Sequence, residues 1–177
     1  MVNAMARTER IALMSAEQWQ HQQSRRNSNE PALWALLDQV RDPEIPALSI
    51  WEMGILVDAR REGERVVVVI TPTYSGCPAV ETIDADIRAA LRAAGYANVE
   101  VRRQLSPAWT TAWMTDAARA RLEAFGIAAP PRHEHDARCP HCGSREAELI
   151  SEFSATACKA MYRCRQCREP FELFKSF

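Results

Sequence analysis

The sequence predicts an α/β fold of the α+β type: a small three-stranded sheet packed with helices, followed by a zinc ribbon. Two observations carry this. Four cysteines form paired knuckles, Cys139-Pro-His-Cys142 and Cys164-Arg-Gln-Cys167. Ahead of them, segments of helical and strand periodicity follow in the order helix, strand, strand, helix, strand, helix. A chain of 177 residues holds one ordinary domain plus a small one, and 47% hydrophobic content is ample for a packed core.

Residues 1–28 are expected to form a loosely ordered tail rich in Gln and Arg, although Ser15-Ala-Glu-Gln18 has the pattern of a capping box opening a short helix. Ile11-Ala-Leu-Met14 is too short for the apolar core of a signal peptide. No segment approaches the roughly 18 apolar residues that span a bilayer. A cytoplasmic protein with no membrane partner is therefore expected.

Residues 29–126 are expected to form the α+β domain. Pro31 stands at a first helical position, and Leu33, Leu36, Leu37 and Val40 recur at helical spacing. That helix must stop before Asp42-Pro43, because a residue preceding proline avoids the α region. Residues 55–60 and 65–71 read as strands joined by the turn Arg61-Glu-Gly-Glu64. The β-branched run from Val66 to Ile70 suits a strand buried on both faces. After a loop at 72–76, Pro78 opens a helix with Val80, Ile83, Ile87, Ala90 and Leu91 on one stripe and Gly95 as its left-handed cap. Residues 99–101 give a third strand. A last helix follows Thr115, with Ala118, Leu122 and Phe125 turned inward.

Residues 127–136, centred on Pro130-Pro131, read as a linker. Residues 137–177 then form the ribbon. Each knuckle offers two thiolates to one tetrahedral ion, and two knuckles close its shell. The twenty-one residues between Cys142 and Cys164, one beyond the usual range, suit a β-hairpin. In a reducing compartment such pairs read as ligands of a structural zinc rather than as disulfides. A closed four-thiolate shell has no position for substrate water, so the ribbon reads as a folding staple or docking surface. Phe171, Phe174 and Phe177 are expected to furnish its core.

A formal charge of −1 argues against a polyanion binder, so no nucleic-acid partner is expected. Cys77 lies just before a helix N-terminus, where unpaired amides favour a thiolate of lowered pKa. A reactive or metal-ligating thiol and a small helix-capping cysteine both fit these residues. A cysteine hydrolase also needs a general base. Residues 29–126 contain no histidine: His21 falls in the tail, His133 and His135 in the linker, and His141 in a knuckle. No catalysis of its own is therefore expected. Asp42 and Glu44, flanking Pro43, and Glu52, before Met53-Gly54, read either as Asx-type backbone partners or as the wall of a site shared with Cys77. Cys158, left over once the zinc shell is filled, reads as a core thiol, a labile iron–sulfur ligand or a substitute zinc ligand. His133-Glu-His135 reads as solvated linker ahead of a metal site. Trp109 and Trp113 read as a lid on the Cys77 loop, a docking surface or core.

Three segments together resemble a known family. Asp42-Pro-Glu-Ile45, followed by Ile50-Trp-Glu-Met-Gly-Ile55, resembles the signature of the MIP18 (DUF59) domain. Thr71-Pro-Thr-Tyr-Ser-Gly-Cys-Pro78 resembles that family's cysteine loop. Joined to a ribbon ending in Cys158-Lys-Ala-Met-Tyr-Arg-Cys-Arg-Gln-Cys-Arg-Glu-Pro-Phe171, the chain is similar to the PaaD-like (PaaJ-like) phenylacetate-degradation accessory proteins from Pro31 onward. The resemblance implies a mixed sheet and a role in iron–sulfur cluster assembly or delivery. It makes Cys77 the functional residue. Asp42, Glu44 and Cys158 are expected to accompany it in cluster or iron transfer. It implies maturation of a multicomponent oxygenase, the phenylacetyl-CoA epoxidase system, with the reductase or di-iron subunits as clients. The alternative is a non-catalytic interaction subunit of that oxygenase complex. One departure is Phe153-Ser-Ala-Thr156, where the family pattern has Phe-Gly-Ser-Thr; losing the glycine removes a close backbone approach. A single loop cysteine cannot complete the four-ligand shell of a transient iron–sulfur cluster. A homodimer, Cys158 or a client cysteine must supply the rest.

Overall fold

The computed structural model of the protein describes residues 16–131 and 137–177. Ile11-Ala-Leu-Met14 and the His133–His135 pair lie outside the described residues. The larger unit is built on a three-stranded sheet of order β1-β2-β3. Strand β1 (Leu56–Glu62) pairs antiparallel with β2 (Arg65–Ile70), through a turn where Gly63 takes φ 64°. Strand β3 (Asn98–Arg103) pairs parallel with β2, which requires the crossover supplied by α3 (Ala79–Ala93). The sheet is therefore mixed. Val66, Val68 and Ile70 of β2 join Ile83, Ile87 and Leu91 of α3 and Leu33, Trp34 and Leu37 of α2 (Pro31–Leu37) in one core. The opposite face carries a ladder in which Arg60, Arg65 and Arg102 alternate with Glu62 and Glu100. Val67, in register with Arg60 and Glu100, is buried there, and Val69 only partly, so the strand is not buried on both faces along its full length. Arginine stems cover apolar surface while their charged heads stay in water.

The N-terminal segment departs from the tail that its composition suggests. Residues 16–26 form α1 (Ala16–Arg26). Gln18 is buried and donates from Nε2 to the carbonyl of Met114 at 2.9 Å. His21 is stacked between Trp113, at 4.8 Å, and Trp51, at 5.4 Å. This helix buries an amide and an imidazole instead of an aliphatic stripe, which hydrophobic periodicity cannot register. Burial holds His21 down at about 4 from its ordinary 6.5. The unfolded chain therefore takes up the proton first as pH falls. The contribution of this stack is complete above pH 6.5 and is lost progressively toward pH 4, by about 3 kcal/mol. Denaturant midpoints measured between pH 7 and 4.5 should fall accordingly, and His21→Phe should remove much of that slope.

The segment between α2 and β1 depends on Gly54, at φ 76°, where an added Cβ would lie 2.7 Å from Cβ of Trp113. Gly54→Ala combines backbone strain with overpacking and should cost about 2–5 kcal/mol in chemical denaturation. Helix α4 (Asp116–Ala124) is capped by Thr115, whose hydroxyl accepts the Ala118 N–H at 3.0 Å. Ala118 and Leu122 face inward as expected. Phe125, which stands at the C-cap and no longer follows the helical stripe, is 55% exposed.

The ribbon is a four-stranded sheet of order β4-β7-β6-β5. Its first strand, β4 (Ile127–Ala128), comes from the expected linker: both residues are buried and pair parallel with β7 (Pro170–Phe174). Strands β5 (Ala147–Ser151) and β6 (Lys159–Cys164) form the hairpin predicted between the knuckles. The three phenylalanines do not share one core. Phe171 sits with Ala128, Cys139, Cys164 and Leu173 in the ribbon, while Phe174 is fully buried in the core of the larger unit. Phe177 is 45% exposed beside Trp109. Among the described residues, no helix is long and apolar enough to cross a membrane.

Candidate functional site

Two thiol sites lie at opposite ends of the β6–β7 hairpin. At one end, the sulfurs of Cys139, Cys142, Cys164 and Cys167 all lie within 4.8 Å of one another. Cys139 to Cys167 spans 3.7 Å and Cys142 to Cys164 spans 3.5 Å. A tetrahedral ion with metal–sulfur bonds of about 2.3 Å requires sulfur–sulfur edges of about 3.8 Å, so the four thiols fit such an ion. The Cys167 N–H donates to Sγ of Cys164 and, together with the Gln166 amide, draws Cys164 down to about 6, while burial and the neighbouring thiols hold Cys142 and Cys167 up. Gly143, at φ 75°, turns the first knuckle so that its N–H reaches the Cys139 carbonyl at 2.8 Å.

At the other end, three chain segments converge on a small cleft lined by Asp42, Glu44, Thr73, Cys77, Cys158 and Phe174 among others. It lies beyond the carboxyl end of the central strand β2. Cys77 arrives on the β2–α3 loop, held by its N–H bond to the Tyr74 carbonyl at 3.1 Å. Pro78 is the N-cap and α3 begins one residue later. Asp42 and Glu44 arrive on the turn after α2. Asp42 Oδ1 accepts the N–H groups of Glu44 and Ile45, both at 2.8 Å, which is the Asx-type role. Cys158 arrives from the ribbon just before β6, with its sulfur 3.0 Å from Thr156 Oγ1 and 3.8 Å from Glu44 Oε2. Lys159, almost fully buried, pairs with Glu172 Oε2 at 2.8 Å, and the Ser154 hydroxyl bonds the other carboxylate oxygen. These bonds brace the Phe153–Cys158 loop without the glycine that the resemblance leads one to expect at position 154.

The electrostatics of the cleft differ from the lowered thiol pKa expected at Cys77. Burial raises the Cys77 pKa, and Glu44 and Asp42 raise it further, against the opposing Ala79 amide and Thr73 hydroxyl. The helix terminus is outweighed because the thiol is half buried beside two carboxylates. Burial likewise raises Asp42 and Glu44, and pushes Cys158 up to about 11. The cleft encloses only about 10 Å³. Among the described residues, only the four ribbon cysteines form a group of three or more ligands close enough to hold an ion, so no three of Asp42, Glu44, Cys77 and Cys158 do. No histidine among the described residues lines it.

The two tryptophans are not its lid. Trp109 donates from Nε1 to the Met53 carbonyl at 3.0 Å and packs on Phe174. With Trp113, His21 and Phe177 it lines a separate groove of about 640 Å³. That groove was not legible beforehand, because α1 supplies one of its walls. Glu52 stands apart from the cleft: it accepts the Ser49 N–H and pairs with Arg121 at 2.7 Å.

Residues 128–175 match the family model described as the PaaD zinc beta ribbon domain. Residues 30–102 match that described as iron–sulfur cluster assembly protein. An Escherichia coli (strain K12) protein, provisionally named as one of the subunits of 1,2-phenylacetyl-CoA epoxidase, is 51% identical over 149 residues, covering 81% of this chain and 90% of the relative. The chain belongs to the PaaD family. About half of this PaaD-family chain also resembles solved structures. One is the DUF59 domain of unknown function from Bacillus anthracis, 29% identical over 52% of this chain and 90% of that one, with a TM-score of 0.48. Another is a conserved hypothetical protein from Thermotoga maritima, 27% identical over 54% of this chain and 94% of that one, with a TM-score of 0.46. The PaaD zinc-ribbon match covers all four cysteines of the metal site.

Proposed function

We propose that the protein is a cytoplasmic maturation factor that delivers iron or an iron–sulfur cluster to a multicomponent oxygenase, the phenylacetyl-CoA epoxidase system. It performs no chemistry on the acyl-CoA substrate itself. The observation that carries this reading is the convergence of Cys77, Glu44, Asp42 and Cys158 on one cleft, where no histidine among the described residues stands ready to make Cys77 a hydrolytic nucleophile. The relationship to the Escherichia coli epoxidase protein and the match to an iron–sulfur assembly domain support the same reading. Cys77 is the transfer residue, and Glu44 and Cys158 are its neighbours in the hand-over. Asp42 orders the turn that presents Glu44. The ribbon holds a structural zinc, and the reductase or di-iron subunits are the clients.

Cys77→Ser changes little volume, so it should leave the fold intact while reducing the iron and sulfide content of the oxygenase purified from cells expressing the variant. Oxygenase loaded chemically with iron and sulfide should then turn over without this protein. If loaded oxygenase stays inactive until stoichiometric protein is added, the second reading holds, that of a non-catalytic interaction subunit. One observation favours that reading: Leu149, Ile150 and Phe153 are large apolar side chains left exposed on and beside the ribbon's edge strand β5.

A further inference from the structure

We infer that the groove between α1 and the segment after β3 is a binding site for an uncharged aromatic compound bearing a carbonyl or amide group. It shares no lining residue with the Cys77 cleft, so the inference does not rest on the maturation reading. Trp109, Trp113, His21 and Phe177 bring aromatic walls from three separate parts of the chain. The volume of about 640 Å³ falls within the range of small-molecule sites, which are concave, aromatic-rich and largely pre-formed.

These walls are held by protein contacts alone. Trp109 is tied by Nε1 to the Met53 carbonyl at 3.0 Å, and Trp113 stacks on His21 with ring planes 13° apart. Phe177 meets Trp109 edge-on at 5.9 Å and leaves 45% of its surface to solvent, an apolar lip at the groove. An aromatic ligand gains offset-stacked or edge-to-face contacts with such rings, which a saturated ring of equal size does not.

Charge narrows the ligand further. The chain carries 22 Lys and Arg and 23 Asp and Glu, yet none of them lines the groove among the described residues. His21 is neutral at pH 7, because burial holds it down at about 4. An ionised ligand would give up part of its hydration here without a counter-charge. The carboxamides of Gln20 and Gln104 also line the groove and pair with no other described residue. Each offers a donor and an acceptor to a neutral polar group.

The test is titration of the full-length protein with benzamide, followed by saturation-transfer NMR and by the indole signals of the protein. Saturable binding in the low-millimolar range is expected for so small a ligand. The signals of Trp109 and Trp113 should shift, and that of Trp34, which does not line the groove, should stay in place. Benzoate should bind about tenfold more weakly or worse, and cyclohexanecarboxamide about threefold more weakly. Ala108→Trp, on an exposed stretch of the groove wall, should block the site. Gln104→Leu should weaken benzamide by about threefold to tenfold. Denaturant midpoints matching the wild type would show that both variants are folded. Benzoate binding as tightly as benzamide, full binding by both variants, or no saturable binding of benzamide overturns the inference. A partner protein that shields Trp113 while benzamide fails to bind also overturns it, and makes the groove a protein-docking surface instead.

Discussion

Cys164→Ser should strip the ribbon of its metal and unfold most of it. The ribbon core consists of Ala128, Cys139, Cys164, Phe171 and Leu173, two of which belong to the four-thiol group proposed to hold zinc. So small an apolar cluster cannot offset the ordering entropy of some forty residues. Structural zinc contributes about 10–16 kcal/mol in units of this size, so its loss exceeds what the ribbon retains from packing. Hydrogen exchange should show β5, β6 and β7 amides losing protection while the α3 and β2 amides keep theirs. The emission of Trp109 should shift, because its partners Phe174 and Phe177 lie on the affected segment. A chelator should reproduce the effect in the wild-type protein. Persistent protection of β6 and β7 in metal-free Cys164→Ser would show that the four-thiol site is dispensable for the ribbon fold.

Phe174→Ala should be the most damaging apolar substitution among the ribbon phenylalanines. The side chain is fully buried in the core of the larger unit, with Trp109 at 6.0 Å and the Cys77 cleft beside it. Truncating a buried phenylalanine costs about 3–5 kcal/mol, which in a domain of this size lowers Tm by about 6–20 °C. Phe177→Ala, at a residue 45% exposed, should cost about 1 kcal/mol or less. The pair therefore separates two accounts of the ribbon. If it were merely tethered, both substitutions would have similar small effects. Because Phe174 anchors it, Phe174→Ala should also open the cleft and speed alkylation of Cys77, while Phe177→Ala leaves that rate alone. Equal effects from the two would contradict the anchoring role.

Much of the fold was legible because local chemistry specified it. The strands around Gly63, the helix that follows Pro78 and the Thr115 cap each follow from a few neighbouring residues. Knuckle spacing alone located the four thiols. The cleft was legible in part: Cys77 stood out from its place before a helix, and the Asp42 turn was foreseeable as an Asx motif. What could not be read was pairing across the chain. Nothing in the spacing of Phe171, Phe174 and Phe177 tells which of them leaves the ribbon for the other core. Gln18 and His21 are polar, so the helix that buries them looks like a solvated tail. The thiol pKa at Cys77 was misjudged for the same reason: the helix terminus is local, whereas the burial and the carboxylates that outweigh it come from elsewhere.

The C-terminal hairpin imposes an order on biosynthesis. Asp42, Glu44 and Cys77 leave the ribosome well before Cys158 and Phe174, which complete the cleft. The nascent larger unit must therefore wait with one wall of its core missing and the Cys77 thiol uncovered. Chains generally fold from the N-terminus in units as they emerge, and here the first unit folds with the wall that Phe174 supplies still to be added. On the proposed reading, zinc supply sets when the hairpin closes, and a cell short of zinc would accumulate chains whose Cys77 is already made but not yet sheltered.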